Sequence, residues 1–133
     1  MNKIETKEVV YQINHLDSKK SAGHDGFTAK FLKFSLPYIV TALTDIFNIS
    51  LTTGIYPDDL KIAKCIPIYK KGKKDDPTNY RPISILSCIN KIYEKLIYQR
   101  LHLHFTENNV LYDYQFGFRK NHSTNQALIE IPD

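Results

Sequence analysis

At 133 residues the chain has the size of one domain, or a piece of one, and can bury a real core. A hydrophobic fraction of 42% with 24% charged residues excludes a disordered composition, and a net charge of +4 leans mildly toward an anionic partner. The charge is also concentrated: seven cations fall between Lys61 and Arg81 against two acids, Asp75 and Asp76. That favours nucleic acid or a nucleotide as the partner class, although a solvated lysine loop kept for solubility has the same composition. Cys65 and Cys88 have neither metal-ligand spacing nor a disulfide framework, and fit two buried reduced thiols. The longest apolar runs are far short of the ~20 residues a spanning helix needs. MNKIETKEVVYQ has no secretory apolar core. A soluble, intracellular protein without a membrane partner is therefore expected.

From Glu5 to Leu16, Val9, Val10, Ile13 and Leu16 recur at helical spacing and predict a short amphipathic helix. Asp17 to Gly26 reads as a polar loop whose glycines permit a tight or left-handed turn. Thr28 can cap a short helix to about Phe34, after which Ser35 and Pro37 predict the start of a separate one. Leu36, Ile39, Val40, Leu43, Ile46, Phe47 and Leu51 form its wide apolar face, and Gly54 stops it. Ile55 to Leu60 reads as a Pro-containing turn. Ile62 to Tyr69 and Tyr80 to Leu86 read as the two strands of a hairpin, and about Cys88 to Phe105 as a third helix. Thr106 to Asp113 is a connection, and Asn121 to Ile131 a last helix capped by Ser123 or Thr124. The expected class is α+β, mostly helical, with one basic β-hairpin and no domain boundary.

Chemistry concentrates on that hairpin. Lys70, Lys71, Gly72, Lys73 and Lys74 follow an apolar strand, and Arg81 opens the return strand. Lysine supplies a mobile point charge and arginine a fork onto two phosphate oxygens, which together suit a polyphosphate. Carboxylates for a metal centre are harder to find. Asp58-Asp59 and Asp75-Asp76 lie in turns, Glu5 and Glu8 look solvated, and Glu94 fits a helix ion pair with Lys91. His102 and His104 are two apart, so a helix points them away from each other. No catalytic residue and no metal ligand is assigned. A second cluster, Gln115 to Lys120 (QFGFRK), sets Phe116 and Phe118 beside Arg119 and Lys120. Exposed rings beside cations suit a single strand of nucleic acid. The same residues also fit a loop anchored by its phenylalanines, with Arg119 in an ion pair.

Taken in order, Gly23-x-Asp25-Gly26, Phe47-Asn48, Ile66-Pro67-Ile68-x-Lys70-Lys71-Gly72, Asn79-Tyr80-Arg81-Pro82-Ile83-Ser84, Lys91-x-x-Glu94 and Gln115-x-Gly117-Phe118-Arg119 with Ser123-Thr124 form one pattern. It closely resembles the start of the reverse transcriptase domain of non-LTR (LINE-type, Jockey-like) retrotransposons, from about residue 5 to 131. The resemblance implies the fingers and opening palm of a right-hand polymerase, with residues 1–133 as a partial reverse transcriptase domain. It implies that Lys70 and Arg81 grip the triphosphate of an incoming dNTP. Lys71, Lys73, Lys74, Arg119, Lys120, Lys19 and Lys20 would then lie along the RNA template.

His24 stands where that family commonly has Pro, and Leu60 where it commonly has Trp. The family's catalytic aspartates lie beyond the Ser-Thr pair and are not found before Asp133. The expectation is thus a piece of an RNA-directed DNA polymerase, inactive alone. Mg²⁺ would belong to the full-length enzyme and not to this chain. Expected partners are the RNA template, the primer–DNA hybrid, dNTP and the remainder of the polymerase, in a nuclear or cytoplasmic ribonucleoprotein. The alternatives are a non-catalytic RNA-binding module derived from such an element, and a functionless remnant that folds poorly.

Overall fold

In the computed structural model, which describes residues 2–112, 114–119 and 121–129, Glu5 opens the first helix, α1 (Thr6–Asn14). The Glu5 backbone N–H donates to Glu8 Oε2 at 2.8 Å, one half of a capping box, and Lys7 pairs with Glu5 at 2.7 Å. Val9 and Ile13 point inward, joined by Ile4 before the helix and Leu16 after it. Asn48 fixes that entry: its Oδ1 accepts from Ile4 N at 2.7 Å and its Nδ2 donates to the Ile4 carbonyl at 2.9 Å.

The two helices expected between Thr28 and Gly54 are a single one, α2 (Ala29–Thr53), capped by Thr28 Oγ1 accepting from Phe31 N at 3.1 Å. Ser35 is not a cap. Its hydroxyl bends back and donates to the Phe31 carbonyl at 2.6 Å, so it sits inside the helix. Pro37 is likewise internal. The donor it lacks is one bond in a 25-residue helix, and burial of Leu32, Leu43 and Phe47 holds the element together across that gap. As expected, the helix stops at Gly54. Joined in this way, α2 is long and apolar enough to cross a membrane by length and composition, a test that core helices also meet. Its inward face belongs to the core cluster.

Residues expected only as a turn contain one helical turn, α3 (Asp58–Lys61), closed by Lys61 Nζ on Asp58 Oδ1 at 2.6 Å. Then come β1 (Ala63–Tyr69) and β2 (Tyr80–Leu86), the expected hairpin strands, paired antiparallel in a two-stranded sheet. A short 3₁₀ turn (Pro77–Asn79) precedes β2. Ser87 starts α4 (Cys88–Glu107), its Oγ accepting from Asn90 N at 3.0 Å. A last helix, α5 (Thr124–Ile129), begins after Ser123. There Ser123 N donates to Gln126 Oε1 at 2.8 Å and Ser123 Oγ accepts from Gln126 N at 3.3 Å, a reciprocal cap by Ser123, one of the two expected candidates. Ile131, the expected end of that helix, lies outside the described residues.

By internal packing the chain divides into two units, Met1–Tyr98 and Gln99–Asp133. The first holds the core, centred on Phe47 and Tyr93, whose rings stack at 4.6 Å and 11°. Ile92 and Leu96 of α4 complete it. Cys88 is buried there, and burial pushes its thiol above the usual value. Cys65 is not buried, contrary to expectation: it lies on an edge strand of which only Ala63 and Ile66 are half-buried. The result is a mixed helical fold with one small antiparallel sheet.

Candidate nucleic-acid interface

The strand register decides which charges act together. Ile68 faces Arg81 and Tyr69 faces Tyr80 across the ribbon. One step further out, Lys70 N donates to the Asn79 carbonyl at 2.8 Å, so the ladder continues past the formal end of β1. Side chains alternate along a strand, so Lys70 shares the face of Ile68 and Arg81. Lys70 and Arg81 are then diagonal neighbours, about 7 Å apart at the backbone. Ile66, Ile68, Ile83 and Ile85 occupy the same face, and Ile68 and Ile83 are exposed. Lys70 and Arg81 are both exposed, and neither takes part in the Lys7–Glu5 or Lys61–Asp58 ion pair. Two unpaired like charges on one face repel unless an anion lies between them.

The same alternation explains the prolines. If 70 and 79 form a hydrogen-bonded pair, so do 68 with 81 and 66 with 83, which leaves Pro67 opposite Pro82 at a non-hydrogen-bonded site. Neither proline removes a ladder bond there. Each instead removes an outward donor from the ribbon's edge, which discourages a third strand.

Three side chains tie the tip to the strands below it. Tyr69 OH donates to the Gly72 carbonyl, Asn79 Nδ2 to the Lys73 carbonyl at 2.9 Å, and Tyr80 OH to the Lys74 carbonyl at 2.8 Å. Consecutive carbonyls are thus taken by the hairpin's own residues. Gly72 makes this possible: its φ is +94°, and a Cβ there would fall 2.6 Å from the Asn79 amide. Asp76 caps the 3₁₀ turn, its Oδ1 accepting from Thr78 N at 2.9 Å and Thr78 Oγ1 at 2.7 Å. Those two bonds, the hydroxyl first, hold the Asp76 carboxyl below its usual value. Lys74 Nζ lies 5.9 Å from the centre of the Tyr69 ring, a cation–π approach. Lys71 and Lys73 project from the ordered turn and are exposed. Sequence reasoning found the lysines but missed Tyr69, Asn79 and Tyr80 as the residues that set them. Asn79 and Tyr80 show in the sequence only as a polar-aromatic pair directly after Pro77-Thr78, and Tyr69 only as the end of the apolar strand.

Lys19 and Lys20 are exposed in a loop that Asp17 turns, its Oδ1 accepting from Lys19 N at 2.9 Å. The loop returns to the hairpin's base through Gly23. A Cβ there would sit 2.6 Å from Ser87 Cα and N and 2.9 Å from Leu86 C, so backbone meets backbone where β2 passes into α4. Beneath this junction Tyr56 OH donates to Asn90 Oδ1, and Asn90 Nδ2 donates to Glu94 Oε1 at 3.3 Å. Glu94 therefore takes an amide and not the expected Lys91. Burial first, then the Glu94 charge, pushes Tyr56 up to about 12.

In the second unit Arg119 is half-buried and donates from Nη1 to the Tyr112 carbonyl at 2.9 Å. It borders a cavity of about 210 Å³ with His102, Phe105 and His122. Phe118 is fully exposed at a φ of +60°, whereas Phe116 is half-buried beside His122. Lys120 lies outside the described residues. Among the described residues no group of three or more His, Cys, Asp or Glu could hold a metal ion.

The chain matches the family model described as reverse transcriptase (RNA-dependent DNA polymerase) over residues 68–131. It is similar to the probable RNA-directed DNA polymerase from transposon BS of Drosophila melanogaster, with 40% identity over 91% of this chain. The RNA-directed DNA polymerase from mobile element jockey of the same species is 33% identical over 98% of this chain. The probable RNA-directed DNA polymerase from transposon X-element is 32% identical over 93%. In each case the chain spans 14% of the relative's length.

Proposed function

Because the chain belongs to the reverse transcriptase family, in its non-LTR retrotransposon branch, we propose that it supplies the fingers and opening palm of an RNA-directed DNA polymerase. In this reading Lys70 and Arg81 clasp the triphosphate of the incoming dNTP. Lys71, Lys73 and Lys74, the loop carrying Lys19 and Lys20, and Arg119 with Lys120 follow the RNA template. One observation carries it: the ladder that continues through Lys70 N and the Asn79 carbonyl sets Lys70 and Arg81 on one face of an ordered ribbon. A triphosphate bridging the two relieves their repulsion and uses the arginine's fork.

Nucleotidyl transfer in this family uses Mg²⁺, and the described residues do not fit such a centre. Asp58 is paired with Lys61, Asp76 is bonded to Thr78 and Glu94 to Asn90. No metal-dependent step is assigned to them. The test is equilibrium binding of a labelled dNTP to the chain. Lys70→Ala and Arg81→Ala should each weaken it by roughly ten-fold, the worth of a charged hydrogen bond. Equal binding by wild type and both variants would reject the reading.

The tethered tip favours a second reading, a non-catalytic RNA-binding module derived from such an element. Lysines held on a fixed turn can track a phosphate backbone without any reacting group. It predicts salt-dependent binding of single-stranded RNA that Lys70→Ala weakens while dNTP has no effect.

A further inference from the structure

The outward side of α2 carries a row of exposed rings. Phe31, Phe34 and Tyr38 stand at i, i+3 and i+7, so they share one helix face, away from Leu43 and Phe47 in the core. Phe34 is 83% and Tyr38 86% exposed. Phe27 extends the row past the helix start, stacking on Phe31 at 5.4 Å and 11°. Lys30 lies one turn before Phe34 on the flank of this row, with Lys33 beyond it, and neither is in an ion pair. From Gly26 to Thr44 the sequence has two cations and no acid, and the row is bounded by Asp25, whose Oδ1 accepts from Phe27 N at 3.2 Å, and by Asp45, two turns past Tyr38.

Rings spaced by a helical turn, open to solvent and bordered by positive charge on one side, suit bases whose phosphates lie on that side. A purely apolar partner would make no use of the flanking lysines. We propose that Phe27, Phe31, Phe34 and Tyr38 form a stacking platform for single-stranded RNA, with Lys30 and Lys33 on its phosphates. The choice of RNA rests on the polymerase reading, but the platform is separate in sequence from the hairpin and uses none of its residues.

The test is fluorescence anisotropy of a short labelled single-stranded RNA titrated with the chain. Phe34→Ala and Tyr38→Ala should each weaken binding by roughly ten-fold, as loss of one stacked base does. Thermal melts should match wild type, since both side chains stand in solvent. Lys30→Ala and Lys33→Ala should each lower the salt slope by about one phosphate. Unchanged RNA affinity in the Phe34→Ala/Tyr38→Ala double variant overturns the proposal. So does a self-associated chain that Phe34→Ala dissociates, which would make the face a contact between two copies. Vesicles of anionic phospholipid bound through Phe34, with RNA binding indifferent to it, would also overturn it. If the platform fails while Lys70→Ala still weakens dNTP binding, the hairpin reading survives. The reverse outcome removes the hairpin reading and leaves the platform.

Discussion

Replacing Gly23 by alanine should destabilise the first unit through a steric conflict that no side-chain movement can relieve. The added Cβ would meet Ser87 Cα and N at 2.6 Å and Leu86 C at 2.9 Å, all backbone atoms at the junction of β2 and α4. Moving them disturbs both the last ladder pair, Ala63 with Leu86, and the first turn of α4, where Ser87 Oγ accepts from Asn90 N. Overpacking of this kind costs about 1–3 kcal/mol, and for a chain of this size each kcal/mol lowers Tm by roughly 3–5 °C. A drop of about 5–10 °C in a circular-dichroism melt is therefore expected. Gly26→Ala is the control: its φ is +74° with nothing within 4 Å, so it should lose only the left-handed penalty of about 1–2 kcal/mol. The Gly23 variant should also shift the amide resonances of Leu86 and Ser87, which Gly26→Ala should leave in place. A Gly23→Ala melt within a degree of wild type would refute the close approach.

Three further outcomes follow from the core and the tip. Tyr56→Phe removes the donor to Asn90 Oδ1, a residue only 2% exposed, and should cost about 1–3 kcal/mol in a denaturant titration. Because the folded Tyr56 value is raised to about 12, its contribution is complete below the ordinary tyrosine value of 10 and fades as pH climbs toward 12. Wild type should thus lose more stability than Tyr56→Phe across that alkaline window. Asp76 works in the other direction. Its folded value is depressed, so its hold on Thr78 is present above the ordinary carboxylate value of 3.8 and lost as pH falls through the folded one. The protection of the Thr78 amide relative to its intrinsic exchange rate should fall as Asp76 protonates in acid, and in Asp76→Ala it should be low at neutral pH as well. Asn48→Ala breaks two bonds to the Ile4 backbone and should cost about 1–3 kcal/mol, with hydrogen exchange rising first at residues 4–9.

The hairpin and α4 were legible because their signals are local. Alternating Ile-Pro-Ile-Tyr and Tyr-Arg-Pro-Ile, with turn residues between them, give β1 and β2 to within a residue. The α2 region misled because Ser35 and Pro37 look the same at a helix start as inside one. Only the hydroxyl's bond to Phe31 and the burial on both sides of Pro37 tell the two apart. Cys65 misled because an apolar residue in a strand is buried only where a second layer covers it. The candidate site was half legible. Its cations are visible as composition, and their shared face follows from register. The carbonyl clamps of Tyr69, Asn79 and Tyr80 depend on how the turn folds back, which no spacing rule encodes. Gly23 reads as a turn residue and acts as a spacer between backbones.

The central claim is that Lys70 and Arg81 act on one triphosphate from one face of the ribbon. A double-mutant cycle on dNTP affinity tests it most directly, with Lys71→Ala as the neighbouring-charge control. The account predicts roughly ten-fold losses for Lys70→Ala and Arg81→Ala, a double variant less than additive, and a smaller loss for Lys71→Ala. Strictly additive effects, or a loss confined to Lys71→Ala, would contradict it.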